Sequence, residues 1–108
     1  MKKGDIVLSP FPFTDLTGSK NRPCLILIEK AEDVTVAFIS TQITFAQKTG
    51  ILLTPSNENG LKKESLIRLD KIATLSKDLL LGRLGTISNE ELLKVDTRLI
   101  ELFKINVR

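Results

Sequence analysis

RPCLILIEKAEDVTVAFIST, residues 22–41, is the stretch that decides the fold. Residues 22–29 and 34–41 are aliphatic and β-branched runs, and only Lys30, Ala31, Glu32 and Asp33 separate them, a link of hairpin length. Alternation along the second run sets Val34, Val36, Phe38 and Ser40 on one face and Thr35, Ala37, Ile39 and Thr41 on the other. Cys24, inside the first run, reads as a small core residue and not as a nucleophile.

Working outward, residues 4–9 (GDIVLS) form a short strand ended by Pro10. The segment Pro10 to Lys20 (PFPFTDLTGSK), with two prolines and a Thr-Gly-Ser turn signal, reads as a loop. Downstream, Ile51-Leu52-Leu53 is a short strand stopped by Pro55 and the polar turn Ser56-Asn57-Glu58-Asn59-Gly60. Residues 65–69 (SLIRL) make a strand, and 71–75 (KIATL) make a further strand or its continuation. Ser76-Lys77-Asp78 reads as a capped single turn and residues 80–87 (LLGRLGTI) as a short bent strand. Ser88-Asn89-Glu90-Glu91 then matches a capping box, after which Leu92, Val95, Leu99 and Phe103 recur at helical spacing. Several short strands closed by one amphipathic helix predict a mainly β chain, a small barrel-like sheet with the C-terminal helix packed against it.

A length of 108 residues without linker or repeat fits one domain. Sixteen Lys+Arg against 13 Asp+Glu give a net charge of +3, a mild bias toward an anionic partner. The single cysteine excludes an intramolecular disulfide and points to a reducing cytoplasm. Histidine is absent, which removes Ser-His-Asp triads, Cys-His dyads and a histidine base, and leaves too few ligands for a structural zinc site. No glycine-rich phosphate cradle, secretory leader or run of about 18 apolar residues is present.

GDIV, PFPFTDLTGSKNRPCLIL, AFISTQ and GLKKESLIRLDKIATL, followed by the Ser88-to-Phe103 helix, resemble the MazF/PemK toxins in order and spacing, from Gly4 to about Phe103. Gly-Ser-Lys-Asn-Arg-Pro before one strand and Arg-Leu-Asp on another are specific in combination. The resemblance implies a small SH3-like barrel with a C-terminal helix, usually a homodimer, acting as the toxin of a type II toxin–antitoxin pair. It further implies a metal-independent, cofactor-free, sequence-selective endoribonuclease that cuts single-stranded RNA and is neutralised by a cognate antitoxin. The products that the resemblance implies are a 2′,3′-cyclic phosphate and a 5′-hydroxyl.

The residue types suit that chemistry. RNA brings its own nucleophile, the 2′-hydroxyl, so the enzyme needs a proton acceptor, a donor to the leaving 5′-oxygen and cationic donors for the phosphate. Arg22, Arg68, Asp70 and Ser40 or Thr41 supply those groups without histidine. Arg22 matches the family's catalytic arginine, and its planar fork suits bidentate phosphate contact. Arg68 and Asp70, two apart on one strand, share a face, with Ile67 and Leu69 turned the other way. They resemble the Arg-x-Asp pair of some family members; the competing reading is an exposed ion pair worth under ~1 kcal/mol.

Ser40 stands where relatives carry a catalytic threonine, with Thr41 a rival hydroxyl and a strand-end hydrogen bond the structural alternative. Thr41 and Gln42 beside it are expected to contact substrate. Phe11 and Phe13 either stack on bases or cover the barrel mouth. Lys20, Lys62 and Lys63 are either phosphate neighbours or solvated charges. Two other functions fit the same fold: a non-catalytic toxin that poisons DNA gyrase through its C-terminal helix, and a plain nucleic-acid-binding barrel. Arg22, Arg68 and Asp70 discriminate, because a gyrase poison has no use for them.

Overall fold

In the computed structural model, which describes residues 1–11, 20–43 and 49–107, the 22–41 hairpin is the centre of the sheet. Six strands, β1 (Asp5–Phe11), β2 (Lys20–Glu29), β3 (Asp33–Ser40), β4 (Gly50–Leu53), β5 (Ser65–Ser76) and β6 (Gly82–Thr86), precede one helix, α1 (Asn89–Leu102). The sheet is antiparallel in the order β4-β5-β3-β2-β1-β6. The expected mainly β fold with a C-terminal helix is therefore the observed one.

Both faces of the hairpin are buried, which explains its unbroken apolar runs. Leu25, Ala37, Ile39 and Ile67 belong to one cluster, which α1 closes through Val95, Leu92, Leu99 and Leu102. Val7, Cys24, Ile26, Val34, Val36 and Phe38 form the other, covered by Ala73, Leu75 and Leu80. The alternation read for residues 34–40 holds, and Cys24 is a fully buried core residue whose thiol burial pushes up to about 12.

β5 serves both faces by means of a bulge. Phe38 pairs with Arg68 but its neighbour Ala37 pairs with Ile72, so residues 69–71 have no opposite number on β3. Such an insertion bends a strand and re-aims its side chains. Residues 65–69 and 71–75 are thus one bent strand of 12 residues. The first half sends Ile67 and Leu69 to the α1 side, and the second sends Ala73 and Leu75 to the other.

Several boundaries differ from the sequence reading, and those of β1, β2 and α1 bear on packing. β1 and β2 extend through Pro10↔Asn21 and Phe11↔Lys20, of which Pro10, Phe11 and Lys20 fall in the stretch that reads as loop. Beyond Leu8, β1 has no β6 partner among the described residues, and an open edge tolerates the missing proline N–H. At the other end α1 stops at Leu102, so Phe103 is the C-cap and 62% exposed instead of core-facing; Leu102 packs inward in its stead. The predicted start is correct: Ser88 Oγ accepts from Glu91 N at 3.1 Å and Glu91 Oε1 accepts from Ser88 N at 2.8 Å. Among the described residues no helix is long and apolar enough to cross a membrane.

Candidate functional site

Arg22 is the third residue of β2, opposite the fully buried Ser9 of β1. It is half-buried and lies two residues inside the strand, because β2 starts at Lys20. Registers Cys24↔Phe38 and Phe38↔Arg68 carry one face across three strands. Arg22, Phe38, Ser40 and Arg68 consequently share that face, with the two arginine Cα atoms on the order of 10 Å apart at ordinary strand spacing. The Arg22 guanidinium carbon lies 5.5 Å from the centroid of the Phe38 ring.

Arg68 and Asp70 form a bidentate pair. Arg68 Nε donates to Asp70 Oδ1 at 3.0 Å and Nη2 donates to Oδ2 at 2.9 Å, while Leu69 between them is buried on the opposite side. Hydrogen bonding from Arg68 holds the Asp70 carboxyl below its ordinary value, and the same bonds raise Arg68. A carboxylate so held is ionised and is a poor proton acceptor. Its geometry suits orienting Arg68.

Ser40 is 9% exposed at the end of β3, and its Oγ accepts from the backbone N–H of Gln42 at 3.0 Å. The strand-end hydrogen bond expected as the alternative is therefore present. It uses an oxygen lone pair and leaves the hydroxyl proton for another acceptor. Gln42 is exposed next to it.

Thr41 and Lys62 lie elsewhere. Alternation turns Thr41 and Pro23 to the opposite side of the sheet, where with Leu8, Leu61, Leu84 and Lys62 they line an apolar cleft of about 420 Å³. Lys62 is held there by a compact turn. Asn59, 1% exposed, accepts from Ser56 N at 3.0 Å and Leu61 N at 2.9 Å and donates to Thr54 O at 2.8 Å. Gly60 follows with φ +70, and a Cβ there would meet the Leu84 carbonyl oxygen. Phe13 lies outside the described residues; Lys20 opens β2, and nothing is described of its side chain or that of Phe11. Phe38 was missed as a site residue, although its alternation with Ser40 already put it on the arginine face.

A curled antiparallel sheet closed by one helix, with two arginines on one face and a carboxylate clamping one of them, defines a small β protein equipped to meet an anion. A model of the PemK-like, MazF-like toxins of type II toxin–antitoxin systems matches residues 2–103, and the chain belongs to that family. Among solved structures, it is similar to the Mycobacterium tuberculosis toxin MazF-mt6 (TM-score 0.79, 21% identity, 95% of this chain and 99% of that one covered). It is also similar to a mycobacterial endoribonuclease in complex with its cognate antitoxin (0.78, 21%, 100% and 99%) and to a second mycobacterial endoribonuclease (0.74, 23%, 100% and 95%). No curated protein sequence matches it. At these identities the structural likeness is one of fold.

Proposed function

We propose that this toxin is a metal-independent, sequence-selective endoribonuclease that cleaves single-stranded RNA by attack of the substrate's own 2′-hydroxyl. The observation that carries the reading is the face shared by Arg22, Arg68 and Ser40, with Asp70 fixing Arg68 through two hydrogen bonds. Arg22 and Arg68 receive the phosphate and stabilise the charge that develops on it as the 2′-oxygen bonds to phosphorus and the bond to the 5′-oxygen breaks, with solvent water taking the 2′-proton and returning one to the departing 5′-oxygen. Asp70 orients Arg68. Ser40 keeps a hydroxyl proton for a phosphate oxygen, and Gln42 beside it contacts the strand. Neither the nucleophile nor the charge stabilisation requires a metal, because the substrate supplies one and the guanidiniums the other.

The chain works in the cytoplasm as a homodimer neutralised by an acidic antitoxin segment. Exposed Leu93, Ile100 and Phe103 on and beside α1 support pairing, since a chain this small leaves such surface uncovered on its own. The similarity to an endoribonuclease held by its cognate antitoxin supports the inhibitor. On the opposite sheet face, Thr41 and Lys62 border an apolar cleft suited to anchoring either strand or inhibitor.

Arg22→Ala tests the reading. Loss of one preorganised donor to the transition state costs on the order of 10²–10³ in cleavage rate. Arg22 pairs with no carboxylate among the described residues, so the fold survives its removal. A folded Arg22→Ala protein that cleaves a mixed-sequence RNA transcript at the wild-type rate would reduce Arg22 to a surface arginine.

A further inference from the structure

The two arginines on the candidate face are held in opposite ways. Arg68 commits Nε and Nη2 to Asp70. Arg22 makes no ion pair among the described residues and instead lies over the Phe38 ring, 5.5 Å from its centroid. Phe38 is only 7% exposed, packed in the cluster with Cys24 and Val36, and stands in register between Cys24 and Arg68. The ring therefore has a fixed place and cannot follow a wandering guanidinium.

An aromatic face attracts a cation through its quadrupole, yet it does not occupy the guanidinium's fork of N–H donors as a carboxylate does. A carboxylate in the same place would neutralise Arg22 and compete with an incoming phosphate. We propose that Phe38 is a positioning residue, which holds Arg22 in place while leaving its donors and its full charge for the scissile phosphate of an RNA strand. This inference rests on the reading of Arg22 as the phosphate-receiving residue. It divides labour on the face: the ring-held arginine binds the anion, and the carboxylate-held arginine has its geometry fixed in advance.

Replacing Phe38→pentafluorophenylalanine tests this, because the substituted ring nearly keeps its size and reverses its quadrupole. Phe38→Tyr, which keeps the electron-rich face, is the rescue. Single-turnover cleavage of a 5′-labelled, mixed-sequence RNA transcript should slow roughly fivefold to tenfold with the fluorinated ring and stay near wild type with tyrosine, a difference sized by a half-buried cation–π contact. In an Arg22→Ala background the fluorinated ring should cause no further loss. The Arg22 Nε–H resonance gives a readout independent of activity: we expect the ring current to move it upfield in the wild type and the position to change when the ring is fluorinated.

Unchanged cleavage with the fluorinated ring, in a protein whose Arg22→Ala variant is crippled, overturns the role of Phe38 alone. The same loss in both the wild-type and Arg22→Ala backgrounds overturns it too, since Phe38 would then act only through packing. Full activity of Arg22→Ala overturns the underlying site and this inference with it.

Discussion

Asp70→Asn separates two roles that a carboxylate beside the reacting phosphate can play, clamp or base. Asp70 takes Arg68 Nε at 3.0 Å on one oxygen and Nη2 at 2.9 Å on the other. Asparagine is nearly the same shape but keeps one acceptor and turns an NH₂ toward the second donor, so one bond and the charge attraction disappear. The Arg68 and Asp70 side chains are 17% and 35% exposed, and water screens the pair. The stability loss is therefore about 1 kcal/mol or less. For a chain of this size that lowers Tm by at most ~4–8 °C. Cleavage suffers more: a guanidinium misplaced by about 1 Å costs up to ~10² in rate. We expect single-turnover cleavage to fall by about 10–10², with parallel wild-type and variant profiles between pH 5 and pH 9, because the Asp70 carboxyl, held low by Arg68, is already ionised there. If Asp70→Asn abolishes an acid limb present in the wild type, Asp70 is the proton acceptor and the clamp reasoning fails. Wild-type rates in the variant would refute any role for the pair.

Acid should destabilise the fold through two carboxylates. Burial raises Asp5, but the Lys2 backbone N–H and Arg83 together lower it by more, and Arg68 lowers Asp70. A lowered folded pKa contributes stability above the unfolded carboxylate value of about 3.9 and loses it as pH falls through the folded value. Denaturant midpoints should thus be flat above about pH 5 and drop below pH 4, and Asp5→Asn should flatten that drop; a variant that keeps the whole drop would contradict this. Gly60→Ala should cost about 2 kcal/mol or more, because the residue sits at φ +70 and the added Cβ meets the Leu84 carbonyl oxygen. An unchanged Tm for that variant would show that the 56–60 turn and β6 do not press together.

The fold was legible because its signals are local. The 22–41 hairpin has two aliphatic runs and a short polar link, and Ser88 and Glu91 place the helix start by reciprocal hydrogen bonds. What escaped depends on pairing between distant strands. The bulge that joins 65–69 to 71–75 is a register shift against Ala37 and Phe38, and nothing in KIATL announces it. Phe103 fits the helical period, but the chain leaves the helix at Leu102, so the periodicity overran the element. At the site, Arg68 and Asp70 could be paired from their spacing alone, whereas bringing Arg22 onto the same face needed the Cys24↔Phe38 and Phe38↔Arg68 registers. Lys62 and Thr41 look like neighbours of that site in sequence terms. They line the other side, because Thr41 comes directly after Ser40, the last residue of an alternating strand.

On the proposed mechanism RNA supplies the nucleophile, and this chain supplies positioned charge and hydrogen bonds. A direct test is cleavage of a single-stranded transcript in excess EDTA, with the new 5′ ends assayed for phosphorylation by a kinase and the new 3′ ends for resistance to phosphatase. We expect undiminished, discrete cleavage with 2′,3′-cyclic phosphate and 5′-hydroxyl ends, and no cleavage where the 2′-hydroxyl is replaced by hydrogen. An absolute requirement for a divalent cation, or 5′-phosphate ends, would contradict it.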